Sequence, residues 1–245
     1  MNVISIIPAR SGSKGIKDKN LQEVGGRKLL DWSIQASLQS HEISRTIVST
    51  DSEEYAKIAV NLGAEVPFMR PKILATDFSP DLDFIRHAVG ELCTQGFKAD
   101  FIVHLRPTTP FRDPTVVDHA IREFVQASGE FSALRSVHEM SESAYKTLEI
   151  DSHGRLIQVF VKNPDIEQSN QARQSFPVTY SPNGYVDVIS TEYLERTGKL
   201  HGNQVKAFIT ERVLEVDDST DLEMLNISLK LSTKPYSRLF GVSNE

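Results

Sequence analysis

A cationic loop punctuated by glycines directly follows the first apolar segment of the chain, Val3 to Pro8. Gly12 and Gly15 allow backbone angles that bring main-chain N–H groups close to a ligand. The cations around them are Arg10, Lys14, Lys17 and Lys19. Such a loop could bind a polyphosphate. Ordinary solvent-exposed loops contain the same residue types, and neither the Walker pattern nor the dinucleotide fingerprint is present, so the residue types alone leave both interpretations open.

A pair of carboxylates near the other end of the chain offers complementary chemistry. Glu215 and Asp217 lie two residues apart around a predicted strand, Val213 to Val216, so their side chains are expected to point the same way. Together with water and phosphate oxygens they could hold one Mg²⁺. The alternative is a helix N-terminus at which Asp217, Asp218 and Asp221 complement the helix dipole. Capping carboxylates are common, so the residue types on their own favour the capping interpretation.

The remaining reactive side chains are predicted to play smaller parts. His104 lies inside a predicted strand and is expected to be packed there, and the single cysteine, Cys93, is expected in the core side of a helix. Ser11 and Ser13 have no evident general base, which argues against a covalent serine mechanism and favours direct displacement. Arg70, in a predicted loop, could supply a further anion contact.

These residues fall at the ends of predicted strands that alternate with helices. Short apolar runs predict strands at Val3 to Pro8, Thr46 to Thr50 and Phe101 to Leu105. Apolar residues at helical spacing predict helices around Leu29 to Leu38, Ser52 to Leu62, Asp81 to Thr94 and from Pro114 onward. The alternation predicts an α/β fold with a doubly wound, mainly parallel sheet.

Ligands of doubly wound sheets bind beyond the carboxyl ends of the strands. The charged segments that follow predicted strands are Arg10 to Asn20, Asp51, Arg106, and Glu215 with Asp217. We therefore expect these cations and carboxylates to converge on one rim of the sheet.

The pattern changes near the middle of the chain to the alternation typical of antiparallel strands. Such strands are predicted at Ser132 to Val137, Tyr145 to Ile150 and Leu156 to Val161. Residues 131–176 are therefore predicted to form a small antiparallel insert within a single domain of residues 1–245. Its polar end, Asn163 to Phe176, suits a segment that covers a site or reaches a partner subunit. Pro182 to Gly184 is interpreted as a turn that opens a strand at Tyr185 to Ile189.

Composition limits the classes of partner. The 245 residues are 39% apolar and 24% charged, typical of a globular protein with a substantial core. The net charge of −6 argues against a general nucleic-acid surface, so a local cluster of cations implies a local anion. No stretch approaches the length of a membrane span, and we expect a cytoplasmic protein without a membrane partner.

Six motifs, in order along nearly the whole chain, carry a family resemblance. They are IIPARSGSKGIKDKN from Ile6, VSTD from Val48, RP…LATD from Arg70, LRPTTPFR from Leu105, ARQ…P from Ala172 and PNG from Pro182. Together they resemble the acylneuraminate cytidylyltransferases, also called CMP-sialic acid synthetases. A single motif would be weak, whereas six in order are specific.

The resemblance implies a Rossmann-like nucleotidyltransferase that transfers CMP from CTP to the anomeric hydroxyl of a nonulosonic acid, such as a sialic or legionaminic acid, and releases pyrophosphate. It implies Mg²⁺, or Mn²⁺ in its place, and a homodimer, with residues 131–176 as the expected contact and lid. The residues implied for CTP are Arg10, Lys14, Lys19, Asn20, Arg70, Asp77 and Ser79. Those implied for the sugar acid are Arg106, Lys146, Arg173, Asn183 and Asp187. Glu215 and Asp217 are implied as metal ligands, and Asp217, Lys19 and Arg10 as catalytic residues.

Several positions depart from the pattern of this family. The family commonly has Gln at the position of Arg106, Arg at that of Ser181, Tyr at that of Asp187, and an Asp-x-Asp pair where this chain has Glu215 and Asp217. A cation at Arg106 and an anion at Asp187 either compensate each other or bind an amino substituent, which argues against N-acetylneuraminate itself as the acceptor. The alternatives are a cytidylyltransferase for a 3-deoxy-octulosonate-type or pseudaminic acid, and an inactive nucleotide-binding homologue.

Overall fold

The computed structural model describes residues 1–127, 129–159 and 166–241, which form strands and helices in alternation. The strands are β1 (Val3–Pro8), β2 (Glu23–Val24), β3 (Arg27–Lys28), β4 (Arg45–Ser49), β5 (Phe101–His104), β6 (Ala133–Glu139), β7 (Leu148–Ile150), β8 (Leu156–Gln158), β9 (Tyr180–Ser190) and β10 (Val205–Ile209). The α-helices are α1 (Leu29–Leu38), α2 (Glu53–Asn61), α3 (Asp81–Thr94), α4 (Pro114–Gln126), α5 (Ile166–Ser169), α6 (Thr191–Thr197), α7 (Ser219–Leu231) and α8 (Lys234–Phe240).

Six of these strands form the central sheet, in the order β10-β6-β9-β5-β1-β4. β1 runs parallel to both β4 and β5, and β6 runs parallel to β10. β9 is antiparallel to its neighbours β5 and β6. The predicted mainly parallel, doubly wound sheet is confirmed, and the chain reverses its direction of strand addition around β1.

Both faces of the sheet are covered, which explains why β1 is apolar except for Ser5, which is itself buried. Val3 and Ile7 pack in one hydrophobic cluster with helices α1, α2 and α4, whereas Ile4 and Ile6 pack in the opposite cluster with α3 and α6. Burial on both faces keeps the sheet rigid, so the loops at its carboxyl edge start from fixed points. No helix among the described residues is long and apolar enough to cross a membrane.

A third hydrophobic cluster lies apart from the sheet and holds the C-terminal helices. Trp32 on α1 is fully buried there, with Val216 and residues of α7 and α8. The Trp32 ring makes edge contacts with Phe111, at 4.9 Å between ring centroids, and with Phe240, at 4.8 Å. This cluster, which we call the Trp32 cluster, fixes the segment before α7 against the rest of the domain.

The central part of the chain differs from its prediction. β6 is a member of the main sheet, so the interpretation of Ser132 to Val137 as a strand of a separate insert is wrong. The small antiparallel pair in this region is β7–β8, and a second small pair, β2–β3, follows the cationic loop. Residues 160 and 161 of the predicted strand Leu156 to Val161, and 163–165 of the predicted polar segment, lie outside the described residues. The role of 131–176 as a dimer contact stays a prediction.

Three further predictions are corrected. Val213 to Val216 is not a strand but irregular chain, whose Val216 N donates to the carbonyl of Thr108 at 2.8 Å, while the last strand among the described residues is β10. Pro182 to Gly184 does not form a turn but lies within the long strand β9, where the pairing with β6 shifts register. Cys93 lies in α3 as predicted but faces solvent, so its predicted place in the core is wrong.

Candidate active site

A cleft of about 220 Å³ opens beyond the carboxyl ends of β1 and β5, on either side of the point where strand addition reverses. Three segments line it: the loop after β1, the segment that leads into α3, and the turn after β5. The lining residues are Pro8, Arg10, Ser13, Lys19, Asn20, Arg70, Leu74, Thr76, Ser79, Asp81, Phe84, Arg106, Pro107 and Thr108. The expected convergence of strand-end residues is confirmed for these segments.

Hydrogen bonds hold the loop after β1 in one shape. The Asp51 carboxylate accepts from the backbone N–H of Ser11 at 2.8 Å and from its hydroxyl at 2.7 Å. The buried Asn20 side chain donates to the carbonyl of Arg10 at 3.0 Å. Gly12 has a φ of +72°, a conformation that L side chains rarely adopt, so glycine is required there. The loop is therefore preorganised before any ligand binds.

Two cations of this loop share one carboxylate. Arg10 Nη2 lies 2.7 Å from Asp77 Oδ1, and Lys14 Nζ lies 2.8 Å from Asp77 Oδ2. The hydrogen bonds from Lys14 and Arg10, together with their charges, hold the pKa of Asp77 below its ordinary value. Asp77 thus remains ionised, and both cations face it across the mouth of the cleft.

The third cation, Lys19, connects the loop to the acidic pair. Lys19 Nζ donates to the carbonyl of Val216 at 3.0 Å and lies 3.5 Å from Asp217 Oδ1. The Glu215 carboxylate accepts from Thr108 Oγ1 at 3.0 Å, and Thr108 lines the cleft. The acidic pair is therefore joined to two residues that line the cleft, Lys19 and Thr108, although the segment that carries it is not a strand.

The capping interpretation of the acidic cluster holds for only part of it. Asp218 is the N-cap of α7, and its side chain forms a capping box with Asp221. Asp217 contributes only its backbone N–H, which donates to Asp221 Oδ2 at 2.7 Å. Its own side chain is 82% exposed. The Asp217 carboxylate is therefore free of the cap and exposed beside Lys19, while Asp218 and Asp221 stabilise the helix end.

One wall of the cleft is formed by Arg70 and Ser79. Arg70 is buried, donates to Ser49 Oγ at 3.0 Å and to the carbonyl of Ser49 at 2.6 Å, and lies over the Phe84 ring at 4.4 Å. Burial lowers the pKa of Arg70 to about 10, so the guanidinium stays charged at neutral pH. The Ser79 hydroxyl closes a tight turn with Thr76, at 2.8 Å between their Oγ atoms.

The floor of the cleft carries an ionic cluster of Arg106, Asp81 and Asp187. Arg106 Nη2 donates to Asp81 Oδ2 at 2.7 Å, and Nη1 donates to Asp187 Oδ2 at 3.1 Å. Burial would raise the pKa of Asp187, but His201, whose Nε2 lies 3.8 Å from Oδ2, and the charge of Arg106 hold it far below its ordinary value. Asp187 is fully buried behind Arg106. Of the two interpretations of Arg106 and Asp187, the geometry supports mutual compensation.

Residues 4–220 of this chain match the family model described as Cytidylyltransferase. The chain belongs to this family. An N-acylneuraminate cytidylyltransferase from Escherichia coli is 33% identical over 224 residues, 91% of this chain and 51% of the relative. A CMP-N,N'-diacetyllegionaminic acid synthase from Legionella pneumophila is 29% identical over 224 residues, 91% of this chain and 93% of the relative. The chain therefore spans about half of the first relative and nearly all of the second.

Solved structures share the fold of this cytidylyltransferase. A CMP:2-keto-3-deoxy-manno-octonic acid synthetase, solved in complex with CTP, superposes with a TM-score of 0.69 at 13% identity, covering 94% of this chain and 99% of the other. The recognition from the six motifs and the assignment as a nucleotidyltransferase are confirmed. At this level of identity, the structural likeness supports the fold alone.

Three residues that the motifs associate with the sugar lie away from the cleft of the cytidylyltransferase. Lys146 pairs with Glu142 at 3.3 Å, and Arg173 pairs with Glu139 at 2.7 Å beside a second hollow of about 310 Å³. Asn183 is buried in β9, and its side-chain amide donates to Thr210 Oγ1 at 2.7 Å. In one chain these residues do not reach the nucleotide loop.

Sequence reasoning missed two residues that organise the site. Asp81, the first residue of α3, supplies half of the carboxylate support of Arg106. Arg112 is fully buried and donates to the carbonyls of Arg106, Thr109, Gly184 and Tyr185 and to Ser33 Oγ. The motif LRPTTPFR contains Arg112, but nothing in it shows which acceptors the guanidinium would meet. The packing of His104 was predicted correctly: the side chain is buried, and burial lowers its pKa to about 3.

Proposed function

We propose that this cytidylyltransferase transfers CMP from CTP to the anomeric hydroxyl of a nonulosonic acid and releases pyrophosphate. The observation that carries the proposal is the cleft itself, which is lined by a preorganised cationic loop and whose Lys19 and Thr108 contact the carboxylates of Asp217 and Glu215. Family membership and the named activities of the Escherichia coli and Legionella pneumophila relatives support this choice of substrates.

The reaction is a displacement at the α-phosphorus of CTP. A bond forms from the anomeric oxygen to phosphorus, the bond from phosphorus to the β-phosphate oxygen breaks, and the hydroxyl proton passes to the Asp217 carboxylate. Arg10, Lys14 and Lys19 neutralise charge on the triphosphate and the departing pyrophosphate. Asn20 supports the loop that presents them. Arg70 and Ser79 are proposed to complete the nucleotide wall, and Asp77 pairs with the Arg10 and Lys14 side chains at its edge.

The residues present fit a divalent metal of the Mg²⁺ type, with Mn²⁺ as a substitute. Mg²⁺ is usually held by one or two carboxylates while water and substrate phosphates fill the rest of its shell. Asp217 presents an exposed carboxylate beside Lys19 of the cleft, and Glu215 lies two residues before it in the sequence. No group of three or more His, Cys, Asp or Glu side chains gathers as a metal cage in the described residues. When bound, the ion would stabilise negative charge on the phosphate oxygens.

The sugar side of the site is proposed to include Arg106, Lys146, Arg173, Asn183 and Asp187. Arg106 lines the cleft, and Asp187 supports it from behind. Lys146 and Arg173 lie outside the cleft of their own chain and would reach a sugar across a subunit contact. We therefore propose a homodimer with its contact in residues 131–176.

The decisive measurement is pyrophosphate release from CTP and Mg²⁺ with a panel of sugar acids that includes N-acetylneuraminic, legionaminic, pseudaminic and 3-deoxy-octulosonic acids. Release with a nonulosonic acid and its loss on addition of EDTA are expected. Release with the octulosonic acid alone would show that the acceptor is an octulosonic acid and not a nonulosonic acid. CTP binding without release for any acid would identify an inactive homologue.

Asp51→Asn is expected to weaken CTP binding about three- to tenfold. The Asp51 carboxylate now accepts hydrogen bonds from the Ser11 N–H and hydroxyl, whereas the amide NH₂ of asparagine would face one of these donors and leave the loop less well held. Titration calorimetry with CTP measures the effect. Asp100→Asn is the matched control, since the Asp100 carboxylate also accepts a backbone N–H, that of Asn2 at 2.6 Å, but away from the cleft. Equal affinity in the Asp51 variant and wild type would show that the loop does not need this support.

A further inference from the structure

The Asp77 carboxylate occupies the position of an anion on the nucleotide loop. Its two oxygens contact two different cations, Arg10 at 2.7 Å and Lys14 at 2.8 Å. These two cations have few other partners among the described residues. Arg10 makes one further, long contact, 3.5 Å to the carbonyl of Gly12, and the Lys14 side chain is 81% exposed. A carboxylate that bridges two cations in this way neutralises the same positive charges that a bound phosphate would neutralise.

The segment that carries Asp77 is built as a self-contained turn on top of the core. Thr76 N donates to Ser79 Oγ at 3.0 Å, and the same hydroxyl donates to the carbonyl of Ile73 at 3.3 Å. Two large apolar side chains of the segment face water, Ile73 at 79% exposure and Phe78 at 92%. The turn thus keeps its shape through internal hydrogen bonds and is joined to the core by little apolar contact around Asp77.

The two ends of this segment are, in contrast, fixed. The Arg70 backbone N–H donates to the carbonyl of Thr50 at 2.7 Å, and its side chain is buried. At the other end, α3 begins at Asp81, whose carboxylate holds Arg106. The stretch between residues 71 and 80 can therefore shift as a unit when the contacts of Asp77 are broken, while both attachment points stay in place.

We propose that Asp77 is an intramolecular stand-in for the triphosphate, which must displace it from Arg10 and Lys14 in order to bind. The inference rests on the proposed function in one respect, namely that these cations bind the phosphates of CTP. Asp77 then acts on nucleotide binding by competition and not as a ligand of the nucleotide. A carboxylate that remained beside the bound triphosphate would repel it, so displacement accompanies binding.

Removing the Asp77 charge should therefore tighten the binding of polyphosphates. Because the ion pairs are partly exposed, with the Asp77 side chain 26% accessible, the expected gain is modest, about three- to tenfold in affinity. The gain should depend on the phosphates: it should be present for inorganic tripolyphosphate and CTP and absent for cytidine. Electrostatic competition of this kind should also shrink as salt screens the charges.

The experiment measures the affinities of wild-type protein, Asp77→Asn and Asp77→Ala for tripolyphosphate, CTP and cytidine by titration calorimetry at low and high salt. Glu65→Gln is the matched control, because Glu65 forms a comparable partly exposed pair with Arg45, at 2.5 Å, away from the cleft. Tighter binding of tripolyphosphate and CTP in both Asp77 variants, with Glu65→Gln unchanged, supports the proposal. Unchanged or weaker tripolyphosphate binding overturns it.

The two proposals fail in different ways. If wild-type protein binds tripolyphosphate and the Asp77 variants bind it more tightly, the stand-in role holds even when the sugar-acid panel yields no pyrophosphate. If the panel yields pyrophosphate but the Asp77 variants bind CTP no better than wild type, the proposed function holds and the stand-in role is wrong.

Discussion

Asp217→Asn is expected to lower the rate of CMP transfer about 10³-fold, while CTP affinity changes by less than about threefold, because a positioned proton acceptor typically contributes 10²- to 10⁴-fold. The carboxylate is exposed, and its one ion pair among the described residues is with Lys19 of the cleft lining, at 3.5 Å. Asparagine keeps the size of the side chain but can neither accept the proton nor offer a charged oxygen. Single-turnover rates and CTP titrations separate the two effects.

The neighbouring aspartate provides a matched control. Asp218→Asn changes the same charge one residue away, but Asp218 acts as the N-cap of α7, a position that asparagine fills equally well. That variant should fold and turn over at close to the wild-type rate. An Asp217→Asn protein that stays active, or an Asp218→Asn protein that loses turnover to the same extent, would remove Asp217 from its proposed role.

Arg112→Lys is expected to destabilise the protein by about 3 to 5 kcal/mol and to lower its Tm by roughly 6 to 20 °C. The guanidinium is fully buried, and its nitrogens donate to carbonyls of two separate segments: Nη2 to Arg106 at 2.8 Å and to Gly184 at 2.9 Å, and Nε to Tyr185 at 2.6 Å. A lysine has three donors on a single atom and cannot span these acceptors, so buried carbonyls would lose their partners. Thermal unfolding by circular dichroism measures the change.

The same substitution on the surface isolates the effect of burial. Arg122 pairs with Glu42 at 3.0 Å, and its side chain is 49% exposed, so Arg122→Lys should change stability by less than about 0.5 kcal/mol. Similar melting temperatures for the two variants would show that the acceptors around Arg112 find other partners. Because Arg112 holds the turn that carries Arg106, a partly folded Arg112→Lys protein should also show altered affinity for the acceptor sugar.

Local sequence patterns correctly predicted the strands and helices whose burial follows one regular pattern from end to end. The six residues of β1 and the bounds of α3 match the structure because continuous burial and a clear helical period leave their mark on every residue. The strand assigned to Val213 to Val216 failed because Val216 is buried against α7 and α8 and not within the sheet. β10 was missed because it is an edge strand, in which Lys206 and the exposed Ile209 blur the apolar pattern.

The sequence predicted the site residues that lie in loops directly after strands. It did not predict which residues, far apart in the sequence, would pair with one another. The positions of Arg10 and Lys19 on the cleft follow from the loop that leaves β1. The pairing of Arg106 with Asp81 and Asp187 joins residues 25 and 81 positions apart, which no local pattern encodes. The spacing of the acidic residues could not separate Asp217 from the cap formed by Asp218, whereas the structure shows that the Asp218 side chain caps α7 and the Asp217 side chain does not.

The two halves of the cleft share one hydrophobic cluster. The cationic loop starts from β1 in the sheet, but its Ile16 packs on the Trp32 cluster, which also holds Val216, the residue before Asp217. The distance between the loop and Asp217 therefore depends on aromatic packing outside the cleft lining. A conservative change at Phe111, Tyr236 or Phe240 is accordingly expected to alter the rate of CMP transfer without changing any residue that lines the cleft.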